Sequence, residues 1–151
     1  MHQRKFFLPA LFALLSLFIA TQLFAQADVI EKRQKVMKGQ SADAKAIKAA
    51  VESKDYATIE MKAKDLMGSS EKIPDLFPKG STTGKTKAKD EIWEKQDDFR
   101  KNAKNLNKAA SELAAAAKAK DEAAVGEKVK AVSGACGGCH KAFREEKYKG
   151  E

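Results

Sequence analysis

Cys136, Cys139 and His140 form the run Cys136-Gly137-Gly138-Cys139-His140, which begins fifteen residues from the end of the chain. Two thiols separated by two residues and followed at once by an imidazole are the donor set of c-type haem attachment. Each thiol adds across one vinyl group of the macrocycle, and the imidazole binds the iron. The spacing has a physical reason. Two intervening residues let both sulfurs reach vinyls on one porphyrin edge, while the next side chain projects under the ring. The glycines leave room for the backbone to pass close to the macrocycle. Other chemistries fit less well. A redox-active dithiol belongs in a strand-helix-strand context, and no strand pattern surrounds this run. A structural zinc ion needs four ligands, but past the first residues these are the only cysteines and the only histidine. A disulfide would close a strained loop and leave His140 without a role.

Residues 1–27 have the organisation of a secretory signal peptide. His2, Arg4 and Lys5 supply a positive start, Phe6 to Ala20 is almost wholly apolar, and Ala25-Gln26-Ala27 is a small-x-small cleavage site. Polar chain begins at Asp28, and no later stretch is long and apolar enough to span a bilayer. The expected mature chain is therefore residues 28–151, one exported domain located in the periplasm. Covalent haem attachment takes place on the exported side of bacterial membranes, so leader and motif support each other. Removing the leader leaves 27 basic against 21 acidic residues, a net charge near +6. The charges are interspersed along helices, which describes a solvated surface rather than a nucleic-acid interface. A lysine-rich face that steers an acidic redox partner is the sharper alternative.

These residues must be positioned by helices. Punctuation by glycine and proline is sparse, and the only loop-like region is Ser69 to Lys89. Helices are expected at about 29–53, 55–69, 90–118 and 121–147. The first has Val29, Ile30, Arg33, Val36, Met37, Ala44, Ile47 and Val51 largely on one face. Tyr56, Ile59, Ala63, Leu66 and Met67 face inward on the second. Ile92, Phe99, Ala103, Leu106, Ala110, Leu113 and Ala117 make the seam of the third. Val125, Val129, Val132, Cys136, Cys139 and Phe143 share a face of the fourth. Lys54-Asp55 is expected as a tight turn, and Asp90 and Asp121 as N-caps. Four amphipathic helices with mostly short connections make an all-α, antiparallel four-helix bundle, with haem filling part of the core.

The chain resembles the class II cytochromes c, the cytochrome c′ family. The residues that carry this are the terminal-helix CxxCH with Phe143-Arg144 after it, Arg33-Gln34 followed by Met37, Phe77-Pro78 with Gly80 in the loop, and Ile92-Trp93. Asp90 departs from the proline that many members place before Glu-Ile-Trp, and the Lys54-Asp55 turn is short. The resemblance implies one haem c, with Cys136 and Cys139 as thioethers and His140 as proximal ligand. It implies that Arg33 and Gln34 lie by the haem, Arg33 as partner of a propionate. Arg144 would lie near the proximal imidazole, and Lys87 and Lys89 on the loop at the haem edge. A homodimer through the first two helices is a further expectation.

The sixth iron position decides the mechanism. With His140 the only imidazole after cleavage, bis-histidine ligation within one chain is excluded. The remaining candidates are Met37, Met61 and Met67. Arg33 and Met37 are four apart on one helix face, which puts the Met37 thioether where relatives place the residue above the iron. Met61 and Met67 are expected in the core. Methionine ligation holds iron six-coordinate and low-spin and favours iron(II), which suits a carrier of single electrons to redox partner proteins. The alternative is five-coordinate iron whose apolar distal pocket binds nitric oxide or carbon monoxide. No distal histidine or other acid-base group points to an enzyme.

Overall fold

A computed structural model describes residues 7–82 and 84–148, with side chains from Ala27 onward. The charged start of the leader, at His2, Arg4 and Lys5, lies outside the described residues, as does Thr83 of the loop. The helices are α1 (Phe7–Glu52), α2 (Tyr56–Glu71), α3 (Glu91–Glu94), α4 (Gln96–Lys118) and α5 (Glu122–Phe143), with a 3₁₀ turn at Pro74–Leu76. The long helices α1, α2, α4 and α5 form an antiparallel bundle. α1 packs on α2, α2 on α4 and α4 on α5, while α1 and α5 meet only lightly. Among the described residues no helix is long and apolar enough to cross a membrane.

The stripes account for most of the packing. On α4, Phe99, Ala103, Leu106, Ala110, Leu113 and Ala117 are buried, as are Ile59, Ala63 and Leu66 on α2 and Val125, Val132 and Phe143 on α5. Small residues on α4 (Ala109, Ala110, Ala114, Ala116 and Ala117) line the end of the bundle near the α4–α5 turn, where backbones can approach closely. The opposite end holds an aromatic chain. Phe77 meets Trp93 at 6.4 Å and Phe99 at 4.8 Å, and Phe99 meets Phe143 edge-on at 5.3 Å. The α1–α2 turn is built as its residues require: Lys54 takes φ +55°, and Asp55 accepts from the Thr58 N–H at 3.1 Å. Asp121 caps α5 by accepting from the Ala124 N–H at 3.0 Å.

Several expectations are corrected. α1 starts before residue 29, because from Ala10 to Lys38 no glycine or proline interrupts it. Its buried face is Ile30, Arg33, Gln40, Ile47 and Ala50, whereas Ala44 is exposed. The polar Gln40 is satisfied by Ser69 Oγ at 3.0 Å. Met61 is not core; its side chain is 52% exposed on the outer face of α2, whereas Met67 packs against the core as expected. The third helix divides at Lys95 (φ −118°, ψ 52°) into α3 and α4, and Asp90 starts α3 without a side-chain capping bond. The last helix ends at Phe143, not 147, because the following residues pair with the loop: Lys89 N–H donates to Phe143 O at 3.1 Å and Glu145 N–H to Lys87 O at 2.8 Å.

Candidate haem site

Antiparallel order brings residues 30–40 of α1, the 72–95 connection and the end of α5 to one end of the bundle. Cys136 and Cys139, three apart on α5, share a face; both are half-buried and pack against the core. Burial raises the Cys136 thiol and pushes Cys139 up to about 11, with the neighbouring Cys136 adding to the latter. Both are therefore protonated at neutral pH. Thioether formation adds S–H across a vinyl group, whereas zinc needs thiolates. Among the described residues no three His, Cys, Asp or Glu side chains cluster as a metal site does. A Cβ built on Gly137 or Gly138 meets nothing within 4 Å, so the space beside this turn of helix is open.

His140 lies at the rim, beside a groove of about 1000 Å³ bounded by Lys89, Lys141, Arg144 and the tail through Tyr148. Partial burial and then the charge of Arg144 hold its imidazole below the ordinary value. Arg144 itself stands just past the helix, in extended conformation, with its N–H donating to His140 O. It therefore neighbours His140 as the C-cap of α5, one turn further along the chain.

On α1, Arg33 is 3% exposed, and burial holds its guanidinium down to about 10. Its Nε donates to Leu76 O at 2.5 Å and its Nη2 to Ser81 O at 3.1 Å and to Ser81 Oγ. The guanidinium lies 4.4 Å from the Phe77 ring centroid. Nη1 is buried and has no hydrogen-bond partner among the described residues. Gln34, half-buried, donates to Lys85 O at 2.9 Å. One turn beyond Arg33, Met37 is half-buried and packs against the core. Lys87 Nζ donates to Glu146 O at 2.5 Å and Lys89 Nζ to Lys141 O at 3.3 Å, so both loop lysines tie the loop to the tail.

These features fit a covalently held macrocycle: two thiols on one half-buried face, an unpartnered buried N–H group on a cation, and one lightly closed seam between α1 and α5. Sequence reasoning missed the supports. Trp93 Nε1 donates to Phe77 O at 3.1 Å and Pro78 O at 2.9 Å, pinning the loop. Gly84, at φ +95°, brings its backbone close enough that a Cβ would sit 3.2 Å from Ile30 Cδ1. The Ile92-Trp93 pair was the signal available for Trp93; Ser81 and Tyr148 carry none.

A family sequence profile described as Cytochrome C' matches residues 28–144. The chain belongs to the cytochrome c′ family. A cytochrome c′ carries covalently bound haem c, typically one group per chain. Cytochrome c′ of Rhodospirillum rubrum is 34% identical over 148 residues, covering 95% of this chain and 99% of the relative. That of Pararhodospirillum photometricum is 35% identical over 119 residues, covering 77% and 95%. The crystal structure of cytochrome c′ from Thermochromatium tepidum superposes with a TM-score of 0.74 at 28% identity, covering 80% of this chain and 97% of that one. The four-helix bundle is thus the fold of the cytochrome c′ family.

Proposed function

We propose that the mature protein, residues 28–151, is an exported carrier of single electrons in the periplasm and not an enzyme. Cys136 and Cys139 would hold one haem c, and His140 and Met37 would bind its iron. When bound, the group provides reversible one-electron iron chemistry. The chain's part is to attach it, exclude water from it and keep the ligand set unchanged between oxidation states. The core around Phe77, Phe99 and Phe143 supplies an apolar wall. Arg33 offers its unpartnered Nη1 to a propionate, and Gln34 holds the adjoining loop by its bond to Lys85 O. A homodimer through α1 and α2 is part of the same reading. Its support is Met61, the exposed large apolar side chain on α2.

The observation that carries the electron-transfer reading is the position of Met37. It is half-buried on the inner face of α1, one turn from Arg33, at the end of the bundle that holds Cys136, Cys139 and His140. The visible spectrum tests it. The oxidised protein is expected to show a low-spin Soret band and a sulfur-to-iron band near the red edge, and Met37→Ala to lose both. A broad high-spin spectrum in the parent, unchanged in Met37→Ala and shifted by nitric oxide, would replace this reading with the gas-binding alternative.

A further inference from the structure

Charge is distributed unevenly along residues 28–151. Residues 28–75 carry ten basic and nine acidic side chains, and residues 90–139 carry nine of each. Residues 76–89 carry Lys79, Lys85, Lys87 and Lys89 and no acid. The fold joins this segment to the tail. Beyond the backbone pairing of Lys87 with Glu145, the Lys85 and Lys87 ammonium groups lie 5.3 and 4.8 Å from the Tyr148 ring centroid. Lys141, Arg144 and Lys147 are thereby brought to the same rim, beside His140. Among the described residues none of these seven cations is in an ion pair. Lys32, Lys54, Lys62, Lys64 and Lys128, on the helices and the α1–α2 turn, each have a carboxylate within 3.2 Å. Among the described residues of the tail, Glu145 and Glu146 offset the rim.

We infer that this basic rim is the docking surface for an acidic electron-transfer protein, an inference that rests on the electron-carrier reading. The rim borders the groove beside His140, so a partner held there stands next to the proposed iron site. These seven cations, none with a carboxylate partner among the described residues, concentrate positive charge on this segment and the tail, which raises the encounter rate with an anionic surface. A lipid surface fits less well. Membrane-surface segments add apolar anchors to their lysines, but among the described residues the exposed large apolar side chain is Met61, on α2.

The test uses the haem-loaded protein and a reduced acidic flavodoxin as probe, with electron transfer followed by stopped-flow absorbance. At low ionic strength, Lys79→Glu/Lys85→Glu/Lys147→Glu is expected to lower the second-order rate by about tenfold or more, and salt to shrink that difference. Lys45→Glu/Lys48→Glu/Lys118→Glu makes the same charge change on exposed positions away from the rim and is expected to have a much smaller effect. The neutral triple Lys79→Gln/Lys85→Gln/Lys147→Gln is expected to fall between parent and reversal. The visible spectrum of each variant checks that the haem site is intact. Equal losses from the two reversed triples would overturn the inference, since net charge alone would then account for them. Rim-dependent co-sedimentation with phosphatidylglycerol vesicles, with flavodoxin rates unaffected, would overturn it in favour of a membrane. Exchange with the uncharged mediator benzoquinone separates the two readings. Failure there sinks the carrier reading itself, whereas normal exchange without a rim effect sinks only the docking surface.

Discussion

Arg33 is a cation buried among neutral groups. Its desolvation costs several kcal/mol, and two backbone carbonyls, the Ser81 hydroxyl and the Phe77 face offset that cost. Nη1 still lacks an acceptor among the described residues, and the proposed propionate would supply one. Removing the side chain takes the donor from Leu76 O and Ser81 O. Arg33→Ala is therefore expected to lower the stability of the haem-loaded protein by about 2–3 kcal/mol. Arg33→Lys should recover only part of this, because an ammonium cannot reach both carbonyls in one plane. Guanidine unfolding followed by circular dichroism measures both, and an Arg33→Ala variant as stable as the parent would refute the account. The place of Arg33 on the apolar face was legible from its spacing to Met37. Its partner Ser81 was not, because a serine in a loop rich in Ser, Thr and Gly has no distinguishing pattern.

Elements are held at the site end by their connections more than by their propensities. Trp93 ties α3 to the loop through one indole N–H shared between two carbonyls. Trp93→Phe keeps the ring and loses the donor, which should lower stability by about 1–2 kcal/mol, read from the unfolding midpoint; no shift would mean that ring packing alone holds the loop. The first turn of α2 tests electrostatics. The Thr58 hydroxyl at 2.6 Å and then its N–H at 3.1 Å hold the Asp55 carboxyl below its ordinary value of 3.8. A carboxyl depressed in the native state stabilises above its unfolded value, and that contribution is lost as pH falls through the native one. Asp55→Asn keeps a capping acceptor without this titration. Acid unfolding below about pH 4 should therefore be shallower in Asp55→Asn than in the parent, and identical acid limbs would count against the cap's role. The helices were legible because periodic stripes report burial directly. The break at Lys95 and the end of α5 at Phe143 were not, because the contacts that end those helices come from Trp93 with its loop and from residues 87–89.

At the scale of the molecule, the bundle has three dense seams and one thin one. α2 with α4, α4 with α5 and α1 with α2 bury apolar stripes along their length, while α1 and α5 meet lightly. Sequence spacing could reveal the stripes and so the bundle, but not which seam is thin, since that depends on space left between two helices far apart in the chain. Met37 lies on α1 and Cys136 and Cys139 on α5, the two helices of the thin seam, each half-buried against the core. A group bound there would replace the missing protein contacts, so its loss should loosen α1 and α5 before α2 and α4. Amide hydrogen exchange can resolve this by comparing the haem-loaded protein with Cys136→Ser/Cys139→Ser prepared without haem. Protection is expected to persist from Ala103 to Ala117 and from Ile59 to Leu66, whose side chains are buried in the α2–α4 seam. It should fall by at least tenfold from Val132 to Phe143 and from Ile30 to Gln40, where each 1.4 kcal/mol of lost local stability is a tenfold change in opening. Even loss of protection along all four helices would instead mean that the bundle opens as one unit, and that the cofactor's contribution is not localised to the α1–α5 seam.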